Sequence, residues 1–333
     1  MTQLIKRKSL KEHLAEESLA QLKEISRNLY LPEENLERSA LEERIYLVLS
    51  DQKAMRRHSV KMLDREYTFI KRMLNYHGAL KESESDVRSY YSFLSLGAVY
   101  YAEHDGEKYI VMPEEIYQNF KKTKLEKMED TIENNSRIYN LLVSMVELYG
   151  VVSIYDLIDN YNRFYKTMEE YVDNLNMEFF FTIKRVNNIR PKVIENQQYF
   201  LHKNIVGNKG LLNNIMMVKR NHSPAILEKR ELLKYRHKDY YDNNDEIKDL
   251  KKFLYEFKGS EEVEQIIIEI HDVFKMNKTT DHIYAILENH GIRINEKKQQ
   301  QFFTILMDAY KNMRLWLNCG HTLNELVQLR NEE

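Results

Sequence analysis

Leu19, Leu22, Ile25 and Leu29 recur at three- and four-residue spacing, the period of a helix with one apolar face. A polar connection over 30–37 follows, and then Leu41, Ile45, Val48 and Leu49 form a second stripe. Residues 1–50 therefore read as a pair of short helices joined by an extended loop.

The next pattern, placed at 53–125, changes period midway. Tyr67, Ile70 and Leu74 predict a helix ending at Gly78, and Tyr90, Phe93 and Leu94 predict another ending at Gly97. Two β-rich runs, 98–103 and 108–112, then flank His104-Asp105-Gly106-Glu107, whose Asp-Gly pair is a strong hairpin signal. Pro113, followed by two glutamates, opens a further helix, and Pro32 carries the same signature. Helices followed by a hairpin make a winged-helix-like unit. The order recurs over 130–203. Ile138, Leu141, Leu142, Met145 and Leu148 lead to Gly150, Ser153 can cap the next helix, and 168–175 predicts a third. Runs 179–186 and 198–202 predict a second hairpin around a polar loop. Over 204–333 a basic connector precedes apolar helical faces at 248–257, 263–274, 283–288 and 302–316, with Gly291 as a further cap. The expected fold class is mainly α with small β-hairpins: a helical pair, two winged-helix-like units and a C-terminal helical bundle.

The run Arg38-Ser39-Ala40-Leu41-Glu42-Glu43-Arg44-Ile45 resembles the basic-x-x-Leu-x-x-Arg-Ile pattern of the Rho-N and SAP helix-extended-loop-helix domains, without the loop glycine usual there. The stretch 314–326, which holds Trp316, Cys319, Gly320 and His321, is similar to a segment of uncharacterised bacterial proteins with a Rho-N-like start. Several of those relatives continue into a SEC-C motif, before which this sequence stops. The resemblance implies a nucleic-acid-linked role and carries no activity.

Composition narrows the choice. One cysteine among 333 residues excludes an internal disulfide framework and a multi-cysteine zinc site, and fits a reducing compartment. No apolar run approaches the ~20 residues of a membrane span, and the basic start lacks a signal-peptide core, so a cytoplasmic location is expected. The net charge of −2 conceals segregation: residues 184–238 carry +10, between a block of −9 over 73–183 and one of −6 over 239–333. Those charges either neutralise one another through packing or attract a polyanion.

Catalytic signatures are missing. Glycines are isolated, so no phosphate loop forms, and Gly207-Asn208-Lys209-Gly210 reads as a turn. Cys319, His321 and Glu325 are too few for a metal site, and a Gly320 turn followed by a Thr322-capped helix explains them better. Asp156 with Asp159, and Glu169 with Asp173, share helix faces but need a cleft to act as acid and base. Neither a catalytic residue, a metal nor a cofactor is expected.

Two functions remain. The first is a regulatory nucleic-acid-binding protein, transcriptional or mobile-element in kind, that clamps the phosphate backbone of DNA or RNA. Its contacts would be Lys184, Arg185, Arg190 and Lys192 at the second hairpin, and Lys219, Arg220, Lys229 and Arg230 in the connector. Lys6, Arg7, Lys8, Arg56 and Arg57 would add to them from the N-terminal part. Against it, the helix at 87–96 has only Arg88 as a positive charge, and 168–175 is acidic. The second is a protein-interaction scaffold or adaptor, of which a homodimer is one form, using the 23 tyrosines and 14 methionines on docking faces.

Overall fold

The computed structural model describes residues 5–32, 36–59, 61–165, 189–237 and 239–332. They fold mainly into helices, with two small antiparallel three-stranded sheets. The chain divides into two compact units near residue 137. No helix among the described residues is long and apolar enough to cross a membrane.

The first unit opens with α1 (Leu10–Glu16) and α2 (Leu19–Asn28), each started by a capping box. Ser9 pairs with Glu12, and Ser18 with Gln21, so that side chain and backbone satisfy one another's free donors. One helix of the expected pair is thus preceded by another. Arg38, the first residue of α3 (Arg38–Ser50), donates through Nη2 to the carbonyls of Ala15 and Glu17 at 2.7 Å each, closing the C-terminal end of α1. Leu41 and Ile45 of the same motif are buried. Next come α4 (Gln52–Ser59), α5 (Asp64–Asn75), β1 (Ala79–Lys81), α6 (Val87–Ser95), β2 (Tyr100–His104), β3 (Glu107–Val111) and α7 (Glu114–Lys122). Leu10, Leu22, Ile45, Phe69, Phe93, Ile110 and Phe120 belong to a single buried cluster, so residues 1–50 and 53–125 share one core.

The division between units falls within α8 (Glu129–Tyr149). In the second unit, β4 (Val151–Ser153), α9 (Ile154–Tyr165), β5 (Ile189–Ile194) and β6 (Gln197–His202) repeat the order of the first. Each sheet places its last strand in the middle, β1-β3-β2 and β4-β6-β5. Ile110 of β3 lies between Leu80 and Tyr101; Phe200 of β6 lies between Val152 and Pro191. Gly78 and Gly150 turn out of the preceding helix at φ +83° and +74°, a conformation that costs a Cβ-bearing residue energy. The carbonyls of these glycines accept equivalent bonds, from Met112 N at 2.8 Å and His202 N at 2.9 Å.

The hairpins differ in their turns. Asp105-Gly106 forms the expected two-residue turn with both φ positive, whereas Glu195-Asn196 does the same without glycine. This corrects the reading of 187–197 as a loop: residues 189–194 form β5, and its proline is tolerated because β5 is an edge strand. The expected strand at 179–186 and helix at 168–175 lie outside the described residues.

Beyond β6 come α10 (Lys203–Val206), α11 (Lys209–Asn221) and α12 (Lys229–Leu232). The helices α13 (Asp245–Leu254), α14 (Ser260–Lys275), α15 (Thr280–Asn289) and α16 (Glu296–Lys311) build a core of their own around Leu250, Ile266, Ile283 and Phe302. Trp316 lies beyond α16 and packs with Val151, Leu201, Ile205 and Ile215, so 204–333 and the second sheet are joined by one core. The chain closes with α17 (Leu323–Glu332), opened by the expected Thr322 cap.

Candidate nucleic-acid interface

Cations that serve a phosphate backbone must stand free of the protein's own carboxylates. In the second unit several do not. Lys219 of α11 donates to Asp156 Oδ2 at 2.9 Å and to the Val151 carbonyl at 3.1 Å, with its side chain 15% exposed. The carboxylate is doubly used, because Asp156 also accepts from the Ser153 backbone in the capping box of α9. Burial alone would raise its pKa; the Lys219 ammonium and the Ser153 bonds outweigh that and hold it below the usual aspartate value. The neighbouring Arg220 turns elsewhere, to Glu195 in the hairpin turn at 2.6 Å. Lys229 sits 3.7 Å from the centre of the Tyr165 ring, with the Phe164 carbonyl at 3.4 Å. Arg190 donates to the Ile189 carbonyl at 2.9 Å, while Lys192 and Arg230 are exposed. Lys184 and Arg185 lie outside the described residues.

The N-terminal cations behave similarly. Arg7 pairs with Glu114 at 2.7 Å, lies 4.1 Å from the centre of the Tyr117 ring, and donates to the His77 carbonyl. Lys8 pairs with Glu16 and stands over Tyr100. Lys6, Arg56 and Arg57 are exposed. Among the described residues, no carboxylate forms an ion pair with Arg56, Arg57, Lys192 or Arg230.

The helix that would face a groove of nucleic acid in the first unit is α6. Its exposed side carries Val87, Arg88 and Tyr91, and Arg88 already lies 3.4 Å from Asp86. Beside it opens a cleft of about 380 Å³ lined by α1, α2, α6 and β2. Three carboxylates, Glu16, Glu17 and Glu24, stand around tyrosines 91, 100 and 101, and no lysine or arginine lines the space. Burial, followed by the adjacent Glu16, pushes the Glu17 carboxyl up. His13 at the cleft wall is 3% exposed, stacks on Tyr100 at 4.9 Å, and faces Glu17 through Nδ1 at 3.6 Å. Burial holds its pKa down at about 4, so the ring is neutral near pH 7.

This cleft escaped the sequence reading, although its signal is present. In Tyr90-Tyr91 and Tyr100-Tyr101 one ring of each pair is buried and the other exposed, and both exposed rings reach the same space. The carboxylates that face them come from another helix pair, a juxtaposition that linear charge counting does not reveal.

Glu325 is held by Arg314 at 2.6 Å, Cys319 is buried in a left-handed turn, and His321 Nε2 meets the Ser223 carbonyl. Asp159 is exposed while Asp156 is tied to Lys219, so that pair does not converge, and Glu169 and Asp173 lie outside the described residues. No group of three metal-ligating side chains occurs among the described residues. In the second unit Glu147, His202, Asp272 and Lys275 gather around Trp316. His202 Nε2 is 3.4 Å from Glu147, whose backbone carbonyl accepts from Trp316 Nε1 at 3.0 Å. Lys275 lies 5.9 Å from the indole, and burial depresses its pKa against the pull of Glu147 and Asp272. No protein-family model, no curated protein and no solved structure matches the chain.

Proposed function

We propose that this protein is a non-enzymatic adaptor of the cytoplasm, whose two winged-helix-like units present docking surfaces to another protein. The observation that carries this reading is the acidic, tyrosine-walled cleft beside α6. A helix approaching a phosphate backbone from that side would bring Glu16, Glu17 and Glu24 with it, and like charges oppose that approach. The pairing of the largely buried Lys219 and Arg7 side chains with Asp156 and Glu114 supports the same reading, while the Arg220–Glu195 pair is exposed on both sides.

A second reading, the phosphate-clamping regulator, is favoured by the exposed Arg56, Arg57, Lys192 and Arg230. Binding to mixed-sequence duplex DNA and to single-stranded RNA, titrated with salt, separates the two. The adaptor reading expects no binding to either polymer at low salt. Affinity that falls steeply with salt, and falls again when Arg56, Arg57 and Lys192 are neutralised, would establish the phosphate clamp instead.

A further inference from the structure

We propose that the cleft between α1, α2, α6 and β2 receives an extended, lysine- or arginine-bearing segment of a partner protein. The proposal rests on the adaptor reading and specifies the chemistry of the partner.

Charge sets the class of occupant. Glu17 and Glu24 face the cleft with no lysine or arginine in its lining, Glu16 beside them is paired with Lys8, and Tyr91 and Tyr101 offer aromatic faces that are 45% and 47% exposed. Carboxylates beside tyrosine rings attract ammonium and guanidinium groups through both charge and the ring quadrupole. The chain itself contains an instance of that recognition: Lys8 bridges to Glu16 while standing 5.4 Å from the centre of the Tyr100 ring, at the cleft's margin. Glu24 and Tyr91 provide the same two elements and are exposed.

Strand geometry favours a peptide over a small cation. Successive side chains of a strand point to opposite faces, yet Tyr100 and Tyr101 both line this space, which places the cleft along the edge of β2. That edge is the outer one, since β2 pairs only with β3 in its sheet. An extended segment can align with such an edge through its own backbone, and alternate side chains then enter the cleft. Ile25, Leu94 and Val99 supply apolar wall for the stem of a long cationic side chain.

The test uses the full chain and a labelled hexapeptide alternating lysine and valine, followed by fluorescence anisotropy at low and moderate salt. The expected result is saturable binding that weakens with salt, about tenfold loss in Glu24→Gln and in Glu17→Gln, and a smaller loss in Tyr91→Ala. Lys8→Ala frees Glu16 and is expected to tighten binding. Circular dichroism confirms that each variant is folded. No binding at low salt, binding indifferent to the two glutamine variants, or equal competition by a glutamate–valine hexapeptide would overturn the proposal. Displacement by spermine at equal charge concentration would replace the peptide with a small polycation and overturn it as well. If the peptide fails while DNA and RNA also fail to bind, only the cleft assignment falls. If nucleic acid binds with a steep salt slope, the adaptor reading falls independently.

Discussion

The two strand sets share an order, a central-strand register and even the glycine-carbonyl bond at their start, yet they are closed in opposite ways. Around the second, Lys219 crosses from α11 to Asp156, and Trp316 covers β4 and β6 from beyond the four C-terminal helices. Around the first, the edge of β2 opens on a cleft walled by tyrosines and glutamates. The same topology therefore carries a β4–β6 face covered by Trp316 in one unit and a β2 edge that opens on a cleft in the other, while β5, the counterpart of β2, is likewise an edge strand. Function follows the side chains placed against the sheet, and strand order alone does not decide it.

The largest expected effect is on the sealed side. Trp316→Ala removes a 1%-exposed indole and its bond to the Glu147 carbonyl, which should cost about 3–5 kcal/mol in chemical denaturation. Peptide binding at the cleft, measured on folded protein, is expected to persist. A loss smaller than about 1 kcal/mol would show that Trp316 is not the seal of that unit.

A pH series addresses the open side. The His13 pKa is depressed by burial from 6.5 to about 4, with Glu16 on α1, Glu17 just beyond it, Lys8, the Gly97 backbone and the Tyr100 ring facing it. A depressed folded-state pKa favours the native state above the unfolded value. That contribution is complete above pH 6.5 and is lost as the pH falls through about 4, on the order of 3 kcal/mol in all. His13→Gln should flatten this part of the stability profile. His271, buried in α14 with its pKa pushed well below 6.5, gives the second unit a matching acid sensitivity, which His13→Gln leaves intact. An unchanged profile in His13→Gln would show that His13 titrates normally.

The smallest contrast compares equivalent glycines. A Cβ at position 150 would lie 2.8 Å from both Ile205 and the Trp316 indole, whereas at position 78 it would lie 3.0 Å from the flexible Arg7 chain and 3.1 Å from the Tyr117 ring. Both positions share the left-handed strain, so Gly150→Ala should destabilise more than Gly78→Ala, by about 1–2 kcal/mol in denaturant midpoints converted to free energy. Equal effects would mean that backbone strain, and not the seal, dominates at both sites.

Much of this fold was readable from the sequence. Gly78, Gly97, Gly150 and Gly291 all have the left-handed backbone that ends a helix, and Asp105-Gly106 makes the predicted turn. The four C-terminal helices follow their apolar stripes, except that the last ends at Lys311, so the expected run to 316 is too long and Trp316 belongs to a separate turn. The strands β1 and β4 were missed because three residues are too few to display a period of two, and both take their place from pairing with a distant strand. The strand β5 was concealed by Pro191 and by a Glu195-Asn196 turn that lacks the usual glycine. The helix α1 spans only seven residues, and its two signals, Leu10 with Leu14 and the Ser9–Glu12 box, are too short to stand out as an apolar stripe. The basic block was legible as charge, but the partners of Lys219, Arg220 and Lys229 arise from tertiary packing and could not be read along the chain. The acidic cleft is likewise a product of folding, assembled from residues 13–25 and 91–101.

The most direct test of the open flank is amide hydrogen exchange with and without the lysine–valine hexapeptide. Added protection confined to β2, α6 and the α1–α2 helices, with β5 and α11 unchanged, is the predicted result. Protection that falls on β5 and α11, or none at β2 under saturating peptide, would contradict the account.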